Sequence, residues 1–152
     1  MSPPRNYKRT LTSGWQGARL VSVKHVATVL IVIDGSEKIR RVAKSLAERF
    51  AGKKVVLMEG AEFAATDILP AETILIGCEH PRPSSFAELE RVLKGINLAG
   101  RPCGLFSLAS DEAIGYLRDI VRDADLRLVP EPYFADLSDD AGSWTTEILE
   151  RR

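Results

Sequence analysis

The sequence predicts an α/β fold, a three-layer α/β/α sandwich around a five-stranded parallel sheet. Short β-branched runs alternate with amphipathic segments of about ten to fifteen residues, which is the pattern of successive βαβ units. The first run, 26–33, is apolar throughout, as expected of a central strand that is buried on both faces. The 152 residues, of which 45% are hydrophobic and 28% charged, suffice for the core of one such domain.

The first half of the chain supplies three strands and one strong helix. Its predicted elements are a strand at 26–33, a helix over 39–50, a strand at 54–58, a weak helical turn at 61–70 and a strand at 73–78. In the helix the apolar residues recur at i, i+3, i+4, i+7, i+8 and i+11, which forms one continuous stripe. Gly52 ends this helix, because glycine adopts a left-handed terminal conformation without strain.

The second half adds two strands and three helices. Ser85 and Glu88 have the spacing of a capping box, which predicts that a helix begins there and runs to Ile96. The remaining predicted elements are a strand at 101–108, a helix from Ser110 or Asp111 to Val121, a strand at 126–129 stopped by two prolines, and a short helix capped by Ser143. Ligands of parallel α/β sheets bind beyond the carboxyl ends of the strands, so the functional loops are expected at 34–37, 78–85 and 107–112.

Charge is balanced overall but unevenly distributed. The 21 basic residues equal the 21 acidic ones, so no net field favours nucleic acid or a membrane surface as a partner. Residues 1–24 are basic, contain no acid and show no sustained period, which predicts a flexible N-terminal extension ahead of a domain at 25–152. The same composition is found in organelle transit peptides, an alternative that remains open. Trp15 is the candidate docking contact of this extension.

Neither the cysteines nor any motif indicates catalysis. Cys78 and Cys103 lie in apolar runs without ligand spacing, which predicts a reduced, cytoplasmic protein. No apolar run approaches the roughly 20 residues that span a bilayer. A Cys78 thiolate activated by His80 is conceivable, but no third orienting group is evident, so we interpret Cys78 as a small buried hydrophobe. A nucleophile elbow, a P-loop and a metal-ligand cluster are all missing from the sequence, which disfavours a hydrolase or a transferase.

Asp34 ends the first strand, where response-regulator receiver domains also carry acidic residues. Such a domain needs an Asp at the end of the third strand and a Lys at the end of the fifth. This chain has Gly77-Cys78 and Val129-Pro130 at those places. We therefore interpret Asp34 as a turn or helix-capping residue.

Residues 27–150 resemble the flavodoxin family. The resemblance is carried by the stretches 29–32, 74–78, 86–92, 98–106 and 144–149. It implies the strand order 2-1-3-4-5 and an electron-transfer protein that holds FMN non-covalently at the strand-end loops. The residues that it assigns to the cofactor site are Asp34, Gly35, Ser36, Glu37, Lys38, Cys78, Glu79, His80, Ser107, Leu108, Ala109 and Ser110.

The loop 34–37 departs from the family's pattern. Flavodoxins wrap the FMN phosphate with a hydroxyl-rich T/S-x-T-G-x-T-like run, whereas this loop is shorter and has two carboxylates and one hydroxyl, that of Ser36. The loop after the third strand, 78–85, which we call the third loop, offers His80 but no Trp or Tyr to stack on the flavin. The loop after the fourth strand, 107–112, which we call the fourth loop, offers no aromatic residue. The sequence therefore predicts a binding or regulatory module with weak or no FMN binding, which meets a protein partner through its strand-end loops or its tail. An atypical FMN-binding electron-transfer flavoprotein is the alternative.

Overall fold

The computed structural model describes residues 28–150. The predicted N-terminal extension at 1–24, and residues 25–27 at the start of the predicted domain, lie outside the described residues. The helices and strands are β1 (Thr28–Ile33), α1 (Glu37–Ala47), β2 (Lys54–Glu59), α2 (Ala65–Ile68), β3 (Thr73–Gly77), α3 (Ala87–Gly95), β4 (Pro102–Ser107), α4 (Asp111–Val121), β5 (Arg127–Leu128), β6 (Tyr133–Phe134) and α5 (Ala141–Glu150).

The sheet is parallel and has the order β2-β1-β3-β4-β5, which confirms the prediction. In β1, Ile33 lies opposite Glu59 of β2 and Gly77 of β3, so three strands end at the same level. Gly77 in turn pairs with Phe106 of β4. The loops that follow β1, β3 and β4 therefore meet at one edge, as the strand pattern predicted.

The fifth position of the sheet is divided, which the sequence did not predict. β5 pairs with Pro102 and Cys103 at the start of β4, and β6 pairs in parallel with Phe106 and Ser107 at its end. Pro130 and Pro132 lie between the two short strands, and proline has no N–H to donate to a neighbouring strand. The predicted strand at 126–129 is thus followed by a second segment, β6, that continues along the same side of β4.

Helices cover both faces of the sheet. Alternate residues of β1 face opposite ways: Ile31 packs with α1 and α5, and Leu30 packs with α3 and α4. The helix α5 lies directly on β4 because Gly104 has no side chain; a Cβ there would come within 2.8 Å of the Trp144 ring. Phe106 and Trp144 then meet edge to face, with ring centroids 6.4 Å apart. The three-layer prediction is confirmed.

Two of the predicted helix starts are wrong. Residues 84–86 form a 3₁₀ turn and α3 begins at Ala87, so Ser85 caps nothing and the Glu88 side chain bonds to Arg91 instead. The helix α5 begins at Ala141, which puts Ser143 inside its first turn. Both predictions relied on a short local pattern, which the turn preceding each helix overrides.

Within residues 28–150, no helix is long and apolar enough to cross a membrane.

Candidate strand-end site

A cleft of about 320 Å³ lies at the carboxyl edge of the sheet. Its lining residues come from the start of α1 and from the loops after β3, β4 and β6: Lys38, Glu79, His80, Leu108, Ala109, Ser110 and Asp136. Six of these seven belong to the twelve residues predicted from the sequence. The structure therefore brings half of the predicted site into one concave surface.

The Asp34 carboxylate joins the first loop to the third. It is buried, with 6% of its surface exposed, and each of its oxygens accepts a backbone N–H. Oδ1 accepts from Ser36 N at 3.1 Å, and Oδ2 accepts from Glu79 N at 2.9 Å. Backbone N–H groups at a strand end and helix start are the usual donors to a bound anion. Here the chain's own carboxylate occupies them.

Ser36, which has the only hydroxyl of the first loop, is also engaged. Its Oγ accepts from Ile39 N at 3.3 Å, which caps α1, and donates to Glu79 Oε1 at 2.6 Å. The capping role agrees with the extended backbone of Ser36. Two carboxylates, Asp34 and Glu79, thus bond to the backbone and the side chain of one serine.

The remaining residues of the first loop differ in how open they are. A Cβ built on Gly35 meets no atom within 4 Å, so the backbone there is accessible. Glu37 lies 3.6 Å from the guanidinium of Arg40, which also bonds to Glu59 at the end of β2. Lys38 lines the cleft and is the basic residue closest in sequence to the helix start. Of the first loop and helix start, Lys38 alone contributes to the lining of the cleft.

Cys78 and Ser107 lie behind the cleft, in the core. Cys78 is fully buried on the face covered by α3 and α4, and burial, with the negative charge of Asp34, raises its pKa to about 12. The thiol is therefore neutral near pH 7, which supports its interpretation as a small hydrophobe. His80 is 81% exposed and lies 3.7 Å from Glu79. The buried Ser107 Oγ has no hydrogen-bond partner among the described residues.

Sequence reasoning missed Asp136. Its N–H donates to Leu108 O at 2.9 Å, which holds the segment after β6 beside the loop after β4. The acidic run after Pro130 was visible in the sequence, but only the pairing of β6 with β4 brings it to this edge. The cleft consequently carries two acids, Glu79 and Asp136, against one lysine.

Among residues 28–150, no Phe, Tyr or Trp side chain lines the cleft. Tyr133 and Phe134 form β6, and the Tyr133 ring stacks on Trp144 with centroids 5.4 Å apart, away from the cleft lining. Tyr116 is buried in α4, where its hydroxyl donates to Glu90 at 2.6 Å. Within residues 28–150, His, Cys, Asp and Glu side chains form no cluster able to hold a metal ion. The described part of the chain thus offers the cleft hydrogen-bond donors and acceptors, but no Phe, Tyr or Trp ring for stacking.

No protein-family model matches the chain, and no curated protein matches it in sequence. Solved structures do match it in fold. A short-chain flavodoxin associated with a non-canonical PDU bacterial microcompartment gives a TM-score of 0.72 at 12% identity, covering 83% of this chain and 98% of the other. The flavodoxin of Streptococcus pneumonia TIGR4 gives 0.69 at 14% identity, covering 84% and 100%.

Oxidised flavodoxin 2 from Bacillus cereus gives a TM-score of 0.65 at 20% identity, covering 83% of this chain and 100% of the other. Identities this low establish the fold and not the site. The strand order, the two helical layers and these likenesses agree with one another. The chain has the flavodoxin-like fold.

Proposed function

We propose that this chain is a flavodoxin-like binding module whose strand-end cleft binds FMN weakly or not at all. The observation that carries the proposal is the Asp34 carboxylate, which already accepts the N–H groups of Ser36 and Glu79. A flavin phosphate at the same loop competes with this internal anion for the same donors. The module meets a protein partner through its strand-end loops.

Charge and hydrogen bonding both act against a bound phosphate. Like charges a few ångströms apart at partly shielded positions cost about 1–4 kcal/mol. Each hydrogen bond to a charged group that the ligand fails to gain forgoes about 1.5–3 kcal/mol. Since about 1.4 kcal/mol corresponds to a tenfold change in Kd, the charge repulsion and the loss of one such hydrogen bond together weaken binding by roughly two to five orders of magnitude.

The composition of the cleft supports the same conclusion for the flavin ring. Small-molecule pockets are mostly apolar and aromatic, with a few polar groups that orient the ligand. This cleft has Leu108 and Ala109 as its apolar residues, and its other lining side chains are charged or polar. A planar ring therefore gains little stacking energy here.

The alternative function, an electron-transfer flavoprotein with an atypical FMN site, has one specific observation in its favour. The first N–H groups of α1 lack partners within the helix, as in any helix, and Lys38 lines the cleft beside them. The open backbone at Gly35 leaves room for an anion to approach. A phosphate held there would use the helix start rather than the donors that Asp34 occupies.

Titration of the full chain with FMN separates the two functions. Flavin fluorescence and the visible spectrum are followed up to millimolar FMN. We expect no change, or a Kd well above micromolar. Quenching with micromolar or tighter affinity would overturn the proposal, and the absence of any change at millimolar FMN would exclude the flavoprotein.

A variant series tests whether the internal anion is the cause. Asp34→Ser combined with Glu79→Gln removes both carboxylates, and we expect FMN affinity to rise at least tenfold. Asp67→Asn is the matched control, because Asp67 also accepts a backbone N–H, from Ala64 at 2.8 Å, but lies at the amino edge of the sheet. Replacement of residues 34–37 by a hydroxyl-rich loop should raise affinity further. If neither change does so, the missing ring contacts dominate instead.

A further inference from the structure

A second cavity, of about 330 Å³, lies between the β6 segment and α5 and shares no lining residue with the strand-end cleft. We call it the 131–147 groove. Its wall is the stacked pair Tyr133 and Trp144, whose ring planes lie 29° apart. Trp144 Nε1 donates to Glu131 O at 2.9 Å, and the Tyr133 hydroxyl donates to Ser138 O at 3.3 Å. The aromatic wall is therefore held in place by backbone acceptors of the same segment.

The groove joins apolar and acidic surface. Leu137 lines it and is 70% exposed, which is unusual for a large hydrophobic side chain in this domain. Residues 131–150 contain six acids and no lysine or arginine. Asp139 and Asp140 are exposed here, and Asp140 lines the groove. The Arg49 side chain, from the turn after α1, lies close to Gly142 of α5.

One segment of the chain has the complementary composition. Residues 1–27 contain five of the 21 basic residues and none of the 21 acids. Three of the basic residues, Arg5, Lys8 and Arg9, are grouped within five positions, and apolar side chains follow at Leu11 and Trp15. Residues 28–150 hold all 21 acids against 14 basic residues, so this part of the chain is acidic as a whole.

We propose that residues 5–15 bind in the 131–147 groove of the same chain, with the basic side chains against Asp139 and Asp140 and the apolar ones over Leu137. Arginine also binds favourably over an aromatic face, and the half-buried Tyr133 ring lines the groove. The segment thereby covers the exposed leucine and neutralises the acidic rim. This inference is independent of the FMN proposal, because the groove and the strand-end cleft have separate linings.

The length of the chain permits binding within one molecule. The segment leads into β1 at Thr28, on the amino edge of the sheet, whereas β6 lies near the carboxyl edge. A six-residue strand is about 20 Å long, and three strand spacings add about 15 Å across the sheet. The 13 positions from Trp15 to Thr28 span up to about 45 Å when extended. Because the two surfaces are tethered, their effective concentration is on the order of millimolar, and weak contacts suffice.

Photo-crosslinking in the full chain tests the proposal. Leu137→benzoylphenylalanine places a photoreactive group at the lip of the groove, and Lys94→benzoylphenylalanine places the same group on exposed α3, on the opposite face. Irradiation at low micromolar concentration, followed by mass spectrometry, should join position 137 to a peptide within residues 5–15. Position 94 should give no such product. Products that join position 137 elsewhere, or none at all, overturn the proposal.

Mixing heavy-isotope and unlabelled chains separates one molecule from two. We expect crosslinked products within a single isotopic species; mixed products would assign the groove to a second copy and overturn the proposal.

Charge reversal tests the specificity of the contact. The double substitution Asp139→Lys and Asp140→Lys should lower the yield of the crosslink between position 137 and residues 5–15 at least fivefold. Adding the three opposite reversals should restore that yield: Arg5→Glu, Lys8→Glu and Arg9→Glu. Failure of the restoration would contradict the charge pairing. Both aspartates are exposed, so the substitutions should leave the fold intact, which circular dichroism of each variant checks.

Discussion

The loops after β1 and β4 share one capping chemistry and differ in the residues that precede the cap, which include a buried carboxylate only in the first. Each follows a buried strand and ends in a serine that caps the next helix: Ser36 accepts from Ile39 N at 3.3 Å, and Ser110 accepts from Ala113 N at 3.0 Å. The first loop also contains Asp34, which closes onto the third loop through Glu79 N. The fourth loop has the uncharged pair Leu108 and Ala109 instead.

This difference supports the proposal that a flavodoxin-like edge can lose affinity for an anion while it keeps its fold. The helix start remains capped in both loops, so the backbone geometry of the edge is retained. In the first loop the buried Asp34 carboxylate accepts hydrogen bonds from the N–H groups of Ser36 and Glu79, which an external anion would otherwise need. These N–H groups therefore have a partner within the chain. The fourth loop contributes three residues to the cleft, and its acids, Asp111 and Glu112, follow the cap in the first turn of α4.

The largest expected effect is on stability at Asp34. Asp34→Ala leaves two part-buried N–H groups, those of Ser36 and Glu79, without their acceptor, which should lower the free energy of unfolding by about 2–4 kcal/mol. Asp34→Asn keeps one acceptor oxygen and should cost less. Urea denaturation measures both. Asp67→Ala is the control; it removes one exposed bond and should cost about 0.5–1 kcal/mol. Equal losses for Asp34→Ala and Asp67→Ala would contradict the internal-anion interpretation.

A smaller difference is expected between the two serine caps. Ser110→Ala removes a helix cap and should cost about 1 kcal/mol. Ser36→Ala also removes the donor to Glu79 Oε1 and should cost about 2 kcal/mol, since hydrogen bonds to charged groups are the stronger ones. A double-mutant cycle with Glu79→Ala, which removes the acceptor, measures the coupling. In the Glu79→Ala background the two serine substitutions should cost nearly the same; if the gap persists, the Ser36 to Glu79 bond is not its origin.

The fold was predictable to the extent that it follows from hydrophobic periodicity. The continuous run of β1 and the stripe of α1 place those elements with no knowledge of their partners. β6 was missed because two residues beside two prolines carry no periodic signal; its pairing with Phe106 and Ser107 supplies the strand. The caps predicted at Ser85 and Ser143 were wrong because a capping pattern is read from four neighbouring residues. The direction in which the chain enters the helix also decides where the helix begins, and it depends on the tertiary structure.

The site was predictable in position more than in chemistry. Parallel strands bring their ends together, so the loops containing Lys38, His80 and Ser110 were correctly expected to meet. The bond from Glu79 N to Asp34 joins residues 45 positions apart and depends on a side-chain rotamer, which no pattern in the sequence encodes. Asp136 reached the cleft through the unpredicted strand β6. Tertiary pairing, and not composition, determines which acids face the cleft.

The smallest expected effect concerns the thiols, and it tests whether the edge after β3 is reactive. Burial raises the pKa of Cys78 to about 12, with a further contribution from Asp34, and burial raises the pKa of Cys103 to about 12. In the unfolded chain each thiol ionises near its ordinary value of about 9. The contribution to stability is therefore fully present below pH 9 and is lost as the pH rises from 9 towards 12.

At pH 10 each thiol should make the folded chain about 1 kcal/mol less stable than at pH 8, since one pH unit above the unfolded pKa corresponds to an energy of that order. Each of the substitutions Cys78→Ala and Cys103→Ala should remove the contribution of one thiol to this loss of stability between pH 8 and pH 10. Urea denaturation at both pH values measures it. Iodoacetamide should modify neither thiol of the folded chain at pH 8. Rapid alkylation of Cys78 alone would mean that the strand end, unlike the buried middle of β4, exposes a thiolate. Such a result would make the loop after β3 chemically different from the loops after β1 and β4, where the side chains serve as caps and acceptors.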